Sequence, residues 1–378
     1  MSMVDIEGFN VLLKLANKKK LSEDELKFLN ILVKSDSPKK LKFLLDPEIK
    51  FASGPNIITN TPVLIDLSLT NKCNLHCSYC YMDSLPVNDG KFLSLDDFEI
   101  LLKKMKEARV LQIALGGGEP TLHPNFAEIL RKLRLDGDIV PNYTTNGTVL
   151  TNEILEASKK YCGAVAVSYM ENLYKETLVS AKKLLDYGIQ ANVHIVLLKS
   201  RLQNLNLIVE KYLKLGVNGI VLLLFKPMGR GKNLRKEVLA QQDTKLLLLK
   251  IFEILALKEK YDFKLNFDAC SAPLLKDMPF LAESIDGCNG SRYSCYIDWN
   301  LKVKPCSFMQ DQQGVDLKNN SFKKIWQSEL FVDFRNKLTN YRYIGCKTCN
   351  FFKSCWGGCP LDPSIVACDK KGGKLKIF

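Results

Sequence analysis

An α/β chain built on a parallel sheet is predicted by three observations. Six short aliphatic runs, at 63–69, 110–115, 139–143, 164–168, 192–197 and 219–224, alternate with amphipathic helical stretches. After the first interval their starts recur about every 25 to 29 residues, the length of one βα unit. Each run is apolar on both faces, as a parallel strand buried under helices must be. Finally, eight of the thirteen cysteines crowd into residues 288–368, so a region with its own metal framework closes the chain. The reading divides the chain into a helical segment (1–62), the βα repeats (63–235), a connecting region (236–287) and a cysteine-rich domain (288–378).

In order, the entry segment carries a helical stripe of Phe9, Leu12, Leu13, Leu15 and Ala16. A capping box of Ser22 with Glu25 follows, and then Ser37-Pro38 opens a third short helix. Between the strands lie helices such as 95–108, capped by Ser94, and 152–160 after Thr151. The connecting region holds an apolar helix near 244–260 and a strand candidate at 263–268. No stretch reads as a signal peptide or a membrane span; the most apolar, 246–257, is broken by Lys250 and Glu253. Thirteen cysteines without a secretory signal argue for metal or redox use in the cytosol. The formal charge is +13, but only nine of 54 basic residues are Arg, and the lysines are scattered. Clustered Arg and Lys with interleaved aromatics would mark nucleic-acid binding, and there is no such cluster.

The chemistry-bearing stretches fall at the ends of the strand runs. Behind the first, Cys73, Cys77 and Cys80 are spaced C-x3-C-x2-C. Three thiolates suit a [4Fe–4S] cluster with one iron free; half of a zinc site is the alternative. Behind the second lie Gly116, Gly117 and Gly118, followed by Glu119 and Pro120. Consecutive glycines let a ligand approach the backbone closely. The third run ends in Thr144-Thr145-Asn146-Gly147, the fourth in Val167-Ser168, and the sixth in Phe225-Lys226-Pro227-Met228-Gly229-Arg230-Gly231.

Together these stretches resemble the signature of the radical S-adenosylmethionine (radical SAM) enzymes, whose core is a partial (β/α)6 barrel. The resemblance implies that the open iron binds SAM and that Tyr79 lies against its adenine. It also implies that Gly116, Gly117, Gly118 and Glu119 meet the SAM amino group, with Asn146 near the cofactor. Ser168 would contact the carboxylate or ribose, and Lys226-Pro227 would close the pocket. The chain departs from the family at Tyr169-Met170, where relatives carry Leu-Asp. It also lacks their Arg on the next helix, a place that Lys175 or Lys182 could fill. In the cysteine-rich region, Cys346-x2-Cys349-x5-Cys355-x3-Cys359 followed by Cys368 resembles the SPASM domain of radical SAM maturases. Cys288 and Cys306 match its opening pattern, with Leu301 in place of a glycine.

By this resemblance, Cys288, Cys295, Cys306 and Cys359 hold one auxiliary cluster, and Cys346, Cys349, Cys355 and Cys368 hold another. Eight thiolates would also fit two structural zincs. The implied enzyme contains three [4Fe–4S] clusters and receives electrons from a reduced flavodoxin or ferredoxin. It cleaves SAM reductively and abstracts hydrogen from a peptide or protein side chain, in an oxidation or cross-linking. A small-molecule precursor is the enzymatic rival, and a non-catalytic iron–sulfur electron carrier is the alternative of another class. Two cysteines are left over. Cys162 reads as a small apolar core residue. Cys270 either meets the substrate radical, donating a hydrogen atom or relaying a proton, or is a structural thiol.

Overall fold

The computed structural model describes residues 22–23, 58–275, 287–362, 365 and 368. The helical segment expected over 1–62 therefore lies outside the described residues, apart from Ser22, Glu23 and the stretch from Ile58. The chain divides into two units, Met1–Asn60 and Thr61–Phe378, and the second carries everything below.

Six strands follow one another as the sequence pattern demands: β1 (Leu64–Thr70), β2 (Gln112–Gly117), β3 (Val140–Thr145), β4 (Val165–Ser168), β5 (Ala191–Leu197) and β6 (Gly219–Leu224). Each is parallel to the next. The helices between them are α1 (Leu95–Glu107), α2 (Phe126–Leu135), α3 (Asn152–Tyr161), α4 (Tyr174–Asp186) and α5 (Leu205–Leu213). Helix α1 shows why these segments are helical. Ser94 Oγ accepts from Asp97 N at 3.1 Å, Asp96 and Asp97 sit in its first turn, and Lys104 and Lys106 sit in its last. Phe98, Leu101, Leu102 and Met105 form its buried stripe. That stripe covers Ile65, Leu67 and Leu69, the wall-facing residues of β1, all of them almost inaccessible to solvent. Burying each such side chain contributes about 1.5 to 3 kcal/mol. Asp66 and Ser68 alternate onto the opposite, inner face.

The sheet extends beyond the six repeats on both sides. The connecting region supplies α6 (Thr244–Ala256) and β7 (Lys264–Phe267), which is parallel to β6. From the cysteine-rich region, β8 (Ser294–Ile297) lies parallel to β1 on its free edge. Strand β9 (Lys302–Lys304) and strand β10 (Val315–Asp316) then continue antiparallel. The result is one ten-stranded sheet in the order β10-β9-β8-β1-β2-β3-β4-β5-β6-β7. Three helices follow, α7 (Phe322–Trp326), α8 (Glu329–Thr339) and α9 (Phe352–Cys355). Among the described residues no helix is long and apolar enough to cross a membrane.

Candidate active site

The loop leaving β1 is tied at its base. Cys73 N donates to Leu85 O at 2.8 Å, Leu85 N to Asn71 O at 2.8 Å, and Leu93 N to Leu69 O at 2.8 Å. This stands Cys73, Cys77 and Cys80 on the C-terminal end of the strand, half-buried and close enough to repel one another as thiolates. Burial pushes the Cys73 thiol up to about 11 and also raises Cys77, so ionisation here calls for a neighbouring cation. Arg230 clamps the outside of the loop. Its Nε donates to Cys77 O at 3.0 Å, its Nη1 to Ser84 O at 2.8 Å, and its backbone N to Cys80 O at 3.0 Å. Gly229 makes this approach possible. At φ +56° its Cβ position falls 2.5 Å from both Cys80 O and Tyr81 O. Pro227 lies buried in the same segment. The segment expected to close the cofactor pocket thus grips the cysteine loop through Gly229 and Arg230.

The three glycines have different tasks. A Cβ on Gly118 would sit 1.8 Å from Lys72 O, and one on Gly117, at φ +108°, 2.2 Å from Ser68 Oγ. Both allow β2 to lock onto the start of the cysteine loop, where Gly118 N donates to Thr70 O at 2.7 Å. Gly116 faces open space instead, leaving its backbone accessible to a ligand. Glu119 turns inward. Its Oε1 accepts from Thr121 N, Thr121 Oγ1 and Thr145 Oγ1, and its Oε2 from Asn146 N at 2.7 Å. Burial raises its pKa while these four donors pull it down. Asn146 in turn donates from Nδ2 to Asn74 Oδ1 at 2.8 Å, inside the cysteine loop. Glu119 and Asn146 therefore brace the site from behind.

Tyr169-Met170, where the sequence departs from the pattern it resembles, lies against the cysteine loop. Cys77 Sγ lies 3.9 Å from Met170 Sδ, and Tyr79 Oη donates to Tyr169 O at 3.5 Å. The Arg201 guanidinium sits between the two rings, 5.0 Å from the Tyr79 centroid and 5.1 Å from that of Tyr169. Arg201 is only 5% exposed; its Nη1 donates to Val196 O at 3.1 Å, while its Nε has no hydrogen-bond partner. His194, paired in register with Ser168, is also buried. Its Nδ1 lies 3.4 Å from Thr144 Oγ1, and its Nε2 has no partner. Burial holds the His194 imidazole down to about 3, so it is neutral. Lys175 and Lys182 are exposed on α4, with Lys182 paired to Asp186 at 2.5 Å.

The remaining cysteines form two groups. Cys355 lies near Cys346, Cys349 and Cys368, and burial pushes its thiol up to about 11. Cys288, Cys306 and Cys359 lie near one another. The link between the groups is the turn Trp356-Gly357-Gly358, all three residues at positive φ. Arg342 donates from Nη1 to Gly357 O at 2.9 Å and also to Gly358 O, pinning that turn. Cys270 lies outside its own strand run, in a 3-10 turn over Ala269–Leu274, beside the Cys359 sulfur. Cys295 stands apart on β8, opposite Ile65 and within the apolar wall. Lys226 reaches this second group. It is buried, and although burial would discharge it, Asp268 Oδ2 at 2.6 Å raises it and keeps it charged. Its Nζ also stands 4.4 Å over the Phe308 ring. Cys162 caps the C-terminal end of α3 and packs on the core.

These residues fit the groups that the sequence implies. His194 Nε2, which has no hydrogen-bond partner, and the Arg201 guanidinium, whose Nε has only the Glu171 carboxylate at 4.0 Å, suit with the open space at Gly116 a polar ligand beside Cys73, Cys77 and Cys80. Buried Lys226, Arg292 and Arg342 around Cys288 and Cys359 suit an anionic cluster. Among the described residues no three His, Cys, Asp or Glu side chains close around a point as they do on a single ion. Arg230 lies in the 225–231 stretch that the sequence singles out, but Arg201 and Arg342 carry no local pattern that sequence reading could use. Their one signal is rarity, since a chain that uses Lys for most charge keeps Arg where a planar fork is required.

The model of the radical SAM superfamily matches residues 67–224, and that of the SPASM iron–sulfur cluster-binding domain matches residues 288–350. The chain is similar to the PqqA peptide cyclase of Bradyrhizobium diazoefficiens, 26% identical over 325 residues covering 79% of this chain and 81% of that protein. It is also similar to an AdoMet-dependent heme synthase of Methanosarcina barkeri, 24% identical over 333 residues covering 79% and 92%. Among solved structures, Streptococcus suis SuiB bound to its precursor peptide SuiA shares the fold. The TM-score is 0.67 at 18% identity, covering 83% of this chain and 76% of that one. One continuous sheet that presents three thiols behind β1 and takes its last strands from a cysteine-rich region is thus the frame of an enzyme of the radical SAM superfamily with a C-terminal SPASM domain.

Proposed function

We propose that this enzyme oxidises or cross-links a side chain of a peptide or protein, using three [4Fe–4S] clusters, about 12 irons per chain. The observation that carries this reading is the similarity to a peptide cyclase, which runs through 79% of the chain, across both the repeats and the cysteine-rich region. A cluster held by Cys73, Cys77 and Cys80 would supply the electron for reductive SAM cleavage and hence the hydrogen-abstracting chemistry, and clusters held by the later thiols would supply an acceptor for the substrate's electron.

The chain's own residues bind, orient and exclude water. Tyr79 and Tyr169 hold Arg201 in a dry sandwich, from which its guanidinium reaches a carboxylate as the exposed Lys175 and Lys182 do not. Neutral His194 offers Nε2 beside Ser168 for a ribose or amino group. The Gly116 backbone receives the ligand without side-chain obstruction. A reduced ferredoxin or flavodoxin supplies the first electron, and the cytosol is the compartment.

The test is anaerobic incubation of the reduced protein with SAM and each short peptide that a search of the neighbouring genes yields. The expected products are 5′-deoxyadenosine and a peptide lighter by two hydrogens. A second reading, a small-molecule precursor, is favoured by the similarity to the heme synthase. SAM cleavage stimulated by a tetrapyrrole and indifferent to peptides would replace the first reading by the second.

A further inference from the structure

We propose that Cys270, and not Cys295, is the fourth ligand of the auxiliary cluster held by Cys288, Cys306 and Cys359. The inference rests on the reading of that group as an iron–sulfur site and changes its ligand set.

Strand pleating removes Cys295. In β8 it is paired with Ile65 of β1, while Tyr296 is paired with Asp66 and Ile297 with Leu67. Side chains alternate across a strand, so Cys295 shares the face of Ile65, Leu67 and Ile297, all buried in the wall under the helices. Tyr296 takes the other face, where it meets Ser68 and lies 3.9 Å from Met82 Sδ. Bringing the Cys295 sulfur to the auxiliary thiols would need a one-residue register slip, which would also turn Ile297 out of the core. Among the described residues, burial and Asp66 are what act on the Cys295 thiol, whereas Cys288, Cys306 and Cys359 influence one another.

Cys270 occupies the vacant role by position. It follows β7 in the 3-10 turn Ala269–Leu274, which packs against α9, the helix that ends in Cys355 just before the pinned turn to Cys359. Its sulfur lies beside that of Cys359, and the two thiols act on each other's ionisation. The turn is fixed from both sides. Ser271 Oγ donates to Asp268 Oδ1 at 2.5 Å, and Lys226 Nζ donates to Asp268 Oδ2 at 2.6 Å. Lys226 and Arg342 are close to both Cys270 and Cys359, so the positive charge that an anionic cluster needs converges on this pair. Ligation converts the Cys270 S–H into an iron-bound thiolate and releases its proton to solvent. With four thiolates the cluster is closed, offers no iron to a substrate thiol, and is left with electron transfer as its task.

The test uses holoprotein reconstituted anaerobically, in a background where Cys73, Cys77 and Cys80 are all replaced by Ala. That background should retain about eight irons. A value near four would overturn the two-auxiliary-cluster reading, and this proposal with it. On the eight-iron background, Cys295→Val should leave iron content and the reduced EPR spectrum unchanged. Cys270→Ala should lose about a quarter to half of the iron, or give a three-iron EPR signal on oxidation. Iron loss from Cys295→Val, or an unaltered spectrum from Cys270→Ala, overturns the assignment. Should the alanine protein be insoluble, Cys270→Ser preserves the volume. An oxygen ligand then shifts the auxiliary g-values, and unshifted values reject Cys270 as a ligand.

Discussion

Glu119 accepts from four donors, and each of its oxygens holds a different part of the site. In Glu119→Gln one oxygen becomes an NH2, and it must face either Asn146 N or the three donors around Thr121 and Thr145. Setting donor against donor in a buried place costs about 1 to 3 kcal/mol. The variant is expected to unfold a few degrees lower under anaerobic heating and to cleave SAM more slowly, because Asn146 releases Asn74 and the cysteine loop. Restored cleavage at an unchanged melting temperature would mean that the brace carries no load. His194 makes a pH prediction. Its imidazole stays neutral in the fold down to about 3, against an ordinary value of 6.5. As pH falls below 6.5 the unfolded chain binds a proton that the folded chain refuses. Stability is therefore present above 6.5 and is lost towards 3, by about 1.4 kcal/mol per pH unit. The melting temperature of the wild type should drop more steeply between pH 7 and pH 5 than that of His194→Gln. Parallel slopes would assign the acid sensitivity elsewhere.

At the scale of an element, the hairpin from β8 to β9 depends on a residue in the wrong-handed region. Asp298 Oδ1 accepts from Asn300 N and Lys302 N, folding the turn, and Leu301 follows at φ +57° where the family pattern has glycine. The left-handed conformation costs a leucine about 1 to 2 kcal/mol. Full burial of its side chain against Ile297 and Val303 offsets that cost. Two variants separate the terms. Leu301→Ala keeps the strain and loses the packing, about 2 to 5 kcal/mol. Leu301→Gly loses the packing but relaxes the strain. Both should be less stable than wild type, with the glycine variant about 1 kcal/mol above the alanine variant. The reverse order in chemical denaturation would show that the turn relaxes without a glycine.

The whole molecule combines one large core with one small one. The large core runs from the repeats through β8 and β9 to Leu317, Phe322, Ile325, Trp326 and Phe331, whereas Cys288, Met309, Phe334, Leu338 and Trp356 form a separate small cluster next to Cys306. Residues 340–362 add few apolar side chains to either core, and on the proposed cluster reading the thiols at Cys288, Cys306 and Cys359 and at Cys346, Cys349, Cys355 and Cys368 supply the rest through metal. Oxidative removal of iron with a chelator is expected to abolish hydrogen-exchange protection in residues 340–362 first. Residues 95–256, packed by α1 to α6 on the sheet, should keep most of theirs. Uniform loss along the chain would show that the metals stabilise the molecule as one unit.

The succession of six βα units, their helix caps at Ser94 and Thr151, and the position of each glycine or cysteine motif behind a strand were legible in the sequence. These are local properties, set by apolar periodicity and by spacings of a few residues. The division of the later thiols into two groups came from the family resemblance and not from spacing, because Cys359, four residues after Cys355, lies with Cys288 and Cys306. The side a residue faces was not legible. Cys295 lies in the wall because β8 pairs in one register with β1, a strand more than two hundred residues earlier in the chain. The contact of Cys270 with Cys359 and the grip of Arg230 on Cys77 O, across 153 positions, likewise arise only when distant strands align. Arg201 between Tyr79 and Tyr169 belongs with them. Periodicity fixes which residues are buried within an element, but pairing between elements fixes what they are buried against. The candidate site, assembled from the ends of many strands, is therefore decided by the tertiary structure.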